Sequence, residues 1–224
     1  MPKIVDHEAR RAEIAQVACS VVARLGFEQA TTVRIAEAAG YSTGMIAHYF
    51  DSKQEIINAA LRLTLHRVEQ RLNEPHESLF DVLSQMLPLD QPRAMEASFW
   101  MAYWGQVPSD PYFKRLNVWV HRQYAVLYER CFEQHWPEWA AWPASVRRVV
   151  QGAIVTFVDG ATVNTALFAK EYSTERLRRE LRLHIDLWHA WGVSAAGSGA
   201  GAAPRGLKQK HSGLSRRKRV SVRL

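Results

Sequence analysis

The sequence predicts an all-α fold, and three observations carry that reading. Apolar residues recur at three- and four-residue steps along nearly the whole chain up to Gly192, the period of helices buried on one face. No segment shows the alternating β-branched pattern of a half-buried strand. Starts and stops punctuate the pattern, with Ser or Thr ahead of apolar runs and Gly or Pro behind them.

Taken in order, the first helix spans about Asp6–Leu25. Ile14, Val17, Ala18, Val21, Val22 and Leu25 set its buried face, and Gly26 follows as a stop. Thr31 or Thr32 caps a second helix, with Ile35, Ala36 and Ala39 inward. Gly40 makes the turn, and Ser42 caps a third helix whose inner residues are Ile46 and Phe50. Ser52-Lys53-Gln54-Glu55 is a capping box that opens a fourth helix running to about Leu72. A short helix is expected near 77–87 and another from about Pro92 to Val107. Pro108 and Pro111 then break the chain, and Pro111 suits the first turn of a long helix to about His135. Pro137 and Pro143 bracket the next loop, and two last helices are expected near 144–169 and 174–191.

Composition narrows the class of protein. The 224 residues, 47% of them hydrophobic, suffice for one large or two small domains with a real core. No apolar run is long enough for a transmembrane helix, and the N-terminal MPKIVDHEARRAEIA lacks an apolar stretch of the secretory kind. A cytoplasmic protein with no membrane partner is expected. Cys19 and Cys131 have neither metal-like nor redox-like spacing, and read as small buried helix residues in a reducing compartment. The net charge of +7 belongs to the C-terminal tail, where eight Lys/Arg between Arg205 and Arg223 are matched by no acid. That tail, 193–224, cannot bury a core, and disorder is expected of it. Its Gly197, Gly199 and Gly201 string follows no strand, so it is not read as a phosphate cradle.

The stretch Thr31–Lys53, TTVRIAEAAGYSTGMIAHYFDSK, is the most informative in the chain. Two short helices joined by so tight a Gly-containing turn must cross steeply, which is the geometry of a helix-turn-helix. Such a unit places its second helix in the DNA major groove, with the helix start nearest the bases. Ser42, Thr43, Gly44 and Met45 open that helix. Thr43 can hydrogen-bond a base, Met45 and Ala47 offer apolar contact to a thymine methyl, and Gly44 permits close backbone approach. His48 and Tyr49 suit a base or the adjoining phosphates, Tyr49 being placed outward because Phe50 fits the apolar face better. Lys53 suits a phosphate at the start of the fourth helix, itself an anion site through its free N–H groups. Thr32 and Arg34 are expected to grip the other side of the groove. Six Lys/Arg cancel six Asp/Glu in residues 1–53, so recognition rests on the placement of these groups.

Gly40, His48-Tyr49-Phe50 and Lys53 resemble the motif of TetR-family repressors, and the resemblance covers roughly residues 8–56. It implies a DNA-binding head at 1–53, a helical effector-binding and dimerisation domain at 54–192, and a homodimer built from the last two helices. Implied partners are double-stranded DNA with a pseudo-palindromic operator and a small-molecule effector that releases it. Val149, Ala153, Phe157 and Leu177, Leu187, Trp188 give those two helices more apolar positions than one face needs.

Eight Trp residues are clustered between Trp100 and Trp191. Trp100, Tyr103 and Trp104 lie on neighbouring turns of one helix, and Trp119 and Tyr124 on the next. With Phe157, these rings can enclose a quaternary ammonium by cation–π attraction, and Asp159 or Glu96 would complement its charge. The segments Trp100–Trp104, Pro111–Leu116, Val158-Asp159-Gly160 and Ile46–Lys53 are similar to the choline-responsive BetI subgroup, which implies choline as effector in control of glycine-betaine synthesis. An apolar or aromatic effector is the alternative ligand class. A constitutive DNA-architectural binder using the basic tail is the alternative function. No HExxH, G-x-S-x-G or Walker motif is present, and His184 and His189 are wrongly spaced for one helix face. No enzyme activity, metal or cofactor is expected.

Overall fold

The computed structural model describes residues 7–198. Among these, nine α-helices follow one another without a strand: α1 His7–Gln29, α2 Thr32–Ala39, α3 Thr43–Tyr49, α4 Lys53–Asn73, α5 Leu79–Ser84, α6 Gln91–Gln106, α7 Pro111–His135, α8 Ala144–Leu167 and α9 Thr174–Gly197. A single 3-10 turn, Trp139–Ala141, lies between α7 and α8. The all-α reading holds. Asp6 and the tail from residue 199 lie outside the described residues, so the expected start of α1 and the expected disorder there stay as expectations.

The helix starts form where capping chemistry places them. Thr31, Ser42 and Ser52 each accept a hydrogen bond from the backbone N–H three residues on, at 3.3, 3.1 and 3.2 Å. Glu55 completes the box at α4 by reaching back to the Asp51 N–H at 2.8 Å, one residue earlier than the usual partner. Gly40 ends α2 at φ 71°, a left-handed conformation open to glycine at little cost. Gly26 is a break as expected, with φ 76° and ψ 172°, but the helix resumes after it to Gln29. That step returns Phe27 to the core, where its ring meets Phe113 at 5.2 Å and Phe99 at 6.4 Å. At the other end α9 runs on to Gly197, past the expected stop at 191, so Val193 opens no tail. Ala195 and Ala196 favour helix when a preceding helix templates them.

Two cores organise the helices. The first unites Ile14, Val22, Ile35, Ile46 and Phe50 of the N-terminal helices with Phe99 and Phe113 of α6 and α7, and runs across residue 53 without a break. The second gathers α5, the end of α7, α8 and α9 around Phe132, Trp139 and Leu181. Trp139 is fully buried and stacks on Phe132 at 4.4 Å, while its indole N–H donates to Glu129 at 3.1 Å. Cys19 and Cys131 are both buried and unbridged, one in each core.

Candidate DNA-reading head and effector cavity

The head is held by α1. Ile35 and Ala36 of α2 and Ile46 of α3 are buried in the core that α1 supplies. Two arginines of α1 then fix α3 at both ends. Arg10 donates to the Tyr41 hydroxyl just before Ser42, and that hydroxyl donates to Glu13 at 2.9 Å. Arg11 donates to the Tyr49 carbonyl, pairs with Glu55 at 2.7 Å, and lies 4.2 Å from the centre of the Phe50 ring. Its guanidinium also holds the Glu55 carboxyl below the usual range. Neither arginine was singled out in the sequence, because a lone Arg in an amphipathic helix carries no local signal of its partners.

The outer face of this unit is free. Thr43, Gly44, Met45 and His48 are exposed, with Met45 at 43%, and so are Ser42 and Arg34, while Thr32 is half-buried. Arg34 donates to Gln29 at 2.9 Å. Two expectations need correction. Tyr49 does not point outward: it is only 8% exposed, its ring beside His7 at 4.8 Å and His48 at 5.1 Å. It stands at the last position of α3, where the chain turns back under α1, so both Tyr49 and Phe50 are buried. Lys53 is not extended toward solvent either. Its ammonium donates to the Phe27 carbonyl at 2.5 Å, near the C-terminal end of α1 where carbonyls carry partial negative charge. Burial there pushes the Lys53 pKa down.

The body contains a partly open cavity of about 160 Å³ between α4, α6, α7 and α8. Its aromatic walls are Trp100, Trp104, Tyr124 and Tyr128, with Trp100 lying 6.4 Å from Trp104 and 5.7 Å from Tyr124. Arg71 and Glu96 face the cavity as a two-pronged ion pair at 2.7 and 3.0 Å. Arg93 is likewise held by Asp90 at 2.9 Å. Asp159 has no hydrogen-bond or ion-pair partner among the described residues. It is open to the cavity yet crowded by protein, and that burial raises its carboxyl to about 6, with His121 across the cavity opposing the rise. Burial also raises the Tyr124 and Tyr128 hydroxyls well above their ordinary value.

Trp100, Trp104, Tyr124 and Asp159 therefore share one cavity, whereas three other expected wall residues do not reach it. Tyr103 is fully buried against Phe113 at 5.7 Å, its hydroxyl without a partner among the described residues and pushed up to about 12. At three residues from Trp100 it falls to one side of that ring, and Trp104, four away, falls to the other. Trp119 is 39% exposed and lies under Arg62. Asn117, Val120, His121, Tyr124 and Tyr128 mark the inward stripe of α7, and Trp119 is one helical step off it. Phe157 stacks on His184 of α9 at 4.2 Å, off the Val155, Val158, Asp159 and Thr162 stripe of α8. Tyr128 and His121 were missed, though the same stripe was readable from the period of α7.

A three-helix head with an exposed third helix, carried on a helical body that contains a cavity, defines a helix-turn-helix regulator with a ligand-binding body. Comparison with known proteins gives the family. Residues 14–60 match the model of bacterial regulatory proteins of the tetR family, and residues 75–189 match that of the BetI-type transcriptional repressor C-terminal domain. The chain belongs to the TetR family, with a C-terminal domain of the BetI type.

The relatives agree. The transcriptional regulator BetI of Paraburkholderia xenovorans is 26% identical over 84% of this chain and 97% of its own length. The regulator PksA of Bacillus subtilis is 33% identical, but over 46% of this chain, which spans 54% of that relative. Among solved structures, a transcriptional regulator from Rhodococcus sp. Rha1 superimposes with a TM-score of 0.69 at 22% identity, over 87% of this chain and 99% of that one. A putative transcriptional regulator from Saccharomonospora viridis, solved in complex with choline, does so with a TM-score of 0.65 at 19% identity, over 80% and 96%. Regulators of this family bind DNA operators and small-molecule effectors and function as dimers. Among the described residues no helix is long and apolar enough to cross a membrane.

Proposed function

We propose that this regulator is a dimeric repressor released from its operator by a compact quaternary ammonium such as choline. The carrying observation is the cavity: aromatic rings on α6 and α7 with, among the described residues, one uncompensated charge, that of Asp159. The Arg71–Glu96 and Arg93–Asp90 pairs cancel, so an ionised Asp159 leaves the space anionic. About 160 Å³ is close to the ~150 Å³ that accommodates benzene in an engineered cavity, which suits a ligand of choline's size. Rings around a desolvated cation contribute about 1–2 kcal/mol each.

Support for the dimer comes from exposed apolar side chains on α8 and α9, namely Val149, Leu167, Leu183, Leu187 and Trp191. Paired heads would then present Thr43, Gly44, Met45 and His48 to successive major grooves, with Thr32, Arg34 and Ser42 on the phosphates. Lys53 would join them by leaving the Phe27 carbonyl. The effector acts by favouring the form that cannot bind DNA.

Titration calorimetry with choline tests the reading. Trp104→Ala, which removes a half-buried ring, is expected to weaken choline at least about tenfold, while thermal unfolding of the free protein changes little. Unaltered affinity in that variant would sink the cation box. The sign of the pH dependence follows from Asp159. Its carboxyl is neutral below about 6, so affinity should fall as pH drops, to about one tenth at pH 5 of its plateau above pH 7. In Asp159→Asn that component of the fall should be gone and affinity low throughout; a wild-type profile in the variant counts against the assignment.

A further inference from the structure

A second cavity lies where α1, α4 and α6 meet, and it shares Glu96 with the first. It holds about 330 Å³, within the range of small-molecule sites. Phe99, Met95 and Cys19 give it an apolar side, and Gln16, Arg67 and Gln91 give it polar groups. Two of those groups lack partners. Oε1 of Gln16 is buried without a hydrogen bond, and the half-buried Arg67 makes neither hydrogen bond nor ion pair among the described residues. The acid in this wall, Glu96, is already neutralised by Arg71. Among the described residues, the positive charge of Arg67 in this wall is therefore uncompensated.

We infer that this cavity binds a compact organic anion, a carboxylate with a small apolar body. The Arg67 fork receives the carboxylate by charge-assisted hydrogen bonds. The body rests on Phe99 and Met95. The position gives the site a consequence. The Ser20 hydroxyl touches the Met95 sulfur at 3.4 Å across the α1–α6 seam, so an occupant bears on the spacing of these two helices. Through Arg10 and Arg11, α1 carries the reading helix, and through Trp100 and Trp104, α6 carries a wall of the first cavity. The second ligand thus modulates DNA affinity and effector affinity together.

The inference does not depend on the quaternary ammonium reading. Calorimetric titration of the full chain with 4-hydroxybenzoate, and with its neutral isostere 4-hydroxybenzamide, tests it. The carboxylate is expected to bind, with the amide about tenfold weaker. Arg67→Gln should weaken the carboxylate by a similar factor, and Trp104→Ala should leave it unchanged while weakening choline. Absence of carboxylate binding at millimolar concentration overturns the proposal, as does binding that survives Arg67→Gln or is lost in Trp104→Ala. Should Arg67→Gln fail to fold, alkylation of the wild type by N-ethylmaleimide decides. Carboxylate at about ten times its Kd should slow Cys19 about tenfold and leave Cys131, in the other core, unaffected. Equal rates at Cys19 with and without the carboxylate overturn it too.

Discussion

Gly192→Ala is expected to be among the most destabilising single-methyl changes in this chain. Glycine inside a helix ordinarily costs about 0.5–1 kcal/mol relative to alanine, so the substitution should stabilise by propensity alone. Here the sign reverses. A Cβ on Gly192 would overlap the six-membered ring of Trp142. That ring cannot swing away, because it is buried and wedged between Trp136 at 5.7 Å and Trp139 at 5.4 Å. Overpacking of this kind costs about 1–3 kcal/mol or more, since α9 must lift from the tryptophan cluster. Thermal denaturation followed by tryptophan fluorescence should show a lowered midpoint. Gly105→Ala, where nothing lies within 4 Å of the new methyl, should raise it slightly. A midpoint for Gly192→Ala at or above the wild type would contradict the packing argument.

Arg11→Met is expected to weaken specific DNA binding at least about tenfold while leaving the body folded. Methionine keeps an apolar stem over Phe50 but removes the guanidinium that binds the Tyr49 carbonyl and Glu55. Losing hydrogen bonds to a charged group costs about 1.5–3 kcal/mol each where they are sheltered. These are part-exposed, so the stability change should lie at or below the low end of that range. The functional loss should be larger than the stability loss, because the end of α3 is left without its tie to α1. Fluorescence anisotropy against a duplex selected in vitro on the wild type measures the first, and calorimetry of unfolding the second. Equal operator affinity in the variant would show that α1 does not orient the reading helix.

Much of this was readable in the sequence, and the reasons are local. Thr31, Ser42, Ser52, Gly26 and Gly40 act within a few residues of themselves, so caps and turns fall where chemistry places them. The end of α9 was misplaced for the opposite reason: small residues after Val193 say little alone, and their helix extends one already formed. The outward placement of Tyr49 assumed that one aromatic of the pair must be solvent-facing, whereas the end of α3 folds both inward. Of the aromatic residues expected around an effector, Trp100, Trp104 and Tyr124 met in the cavity. Tyr103, Trp119 and Phe157 did not, because a helical step of 100° decides which wall a ring belongs to.

The sequence by itself determined the all-α fold, the helix-turn-helix with its exposed Thr43, Gly44 and Met45, and the family resemblance, because each is written in spacing along one segment. Tertiary structure alone decided which distant groups would share a surface or a charge. It placed Lys53 on the Phe27 carbonyl, joined Arg11 to Glu55, paired Arg71 with Glu96 and left Asp159 and Arg67 without partners among the described residues. Pairing between groups tens of residues apart depends on how helices pack, and helix packing leaves no periodic trace in the chain.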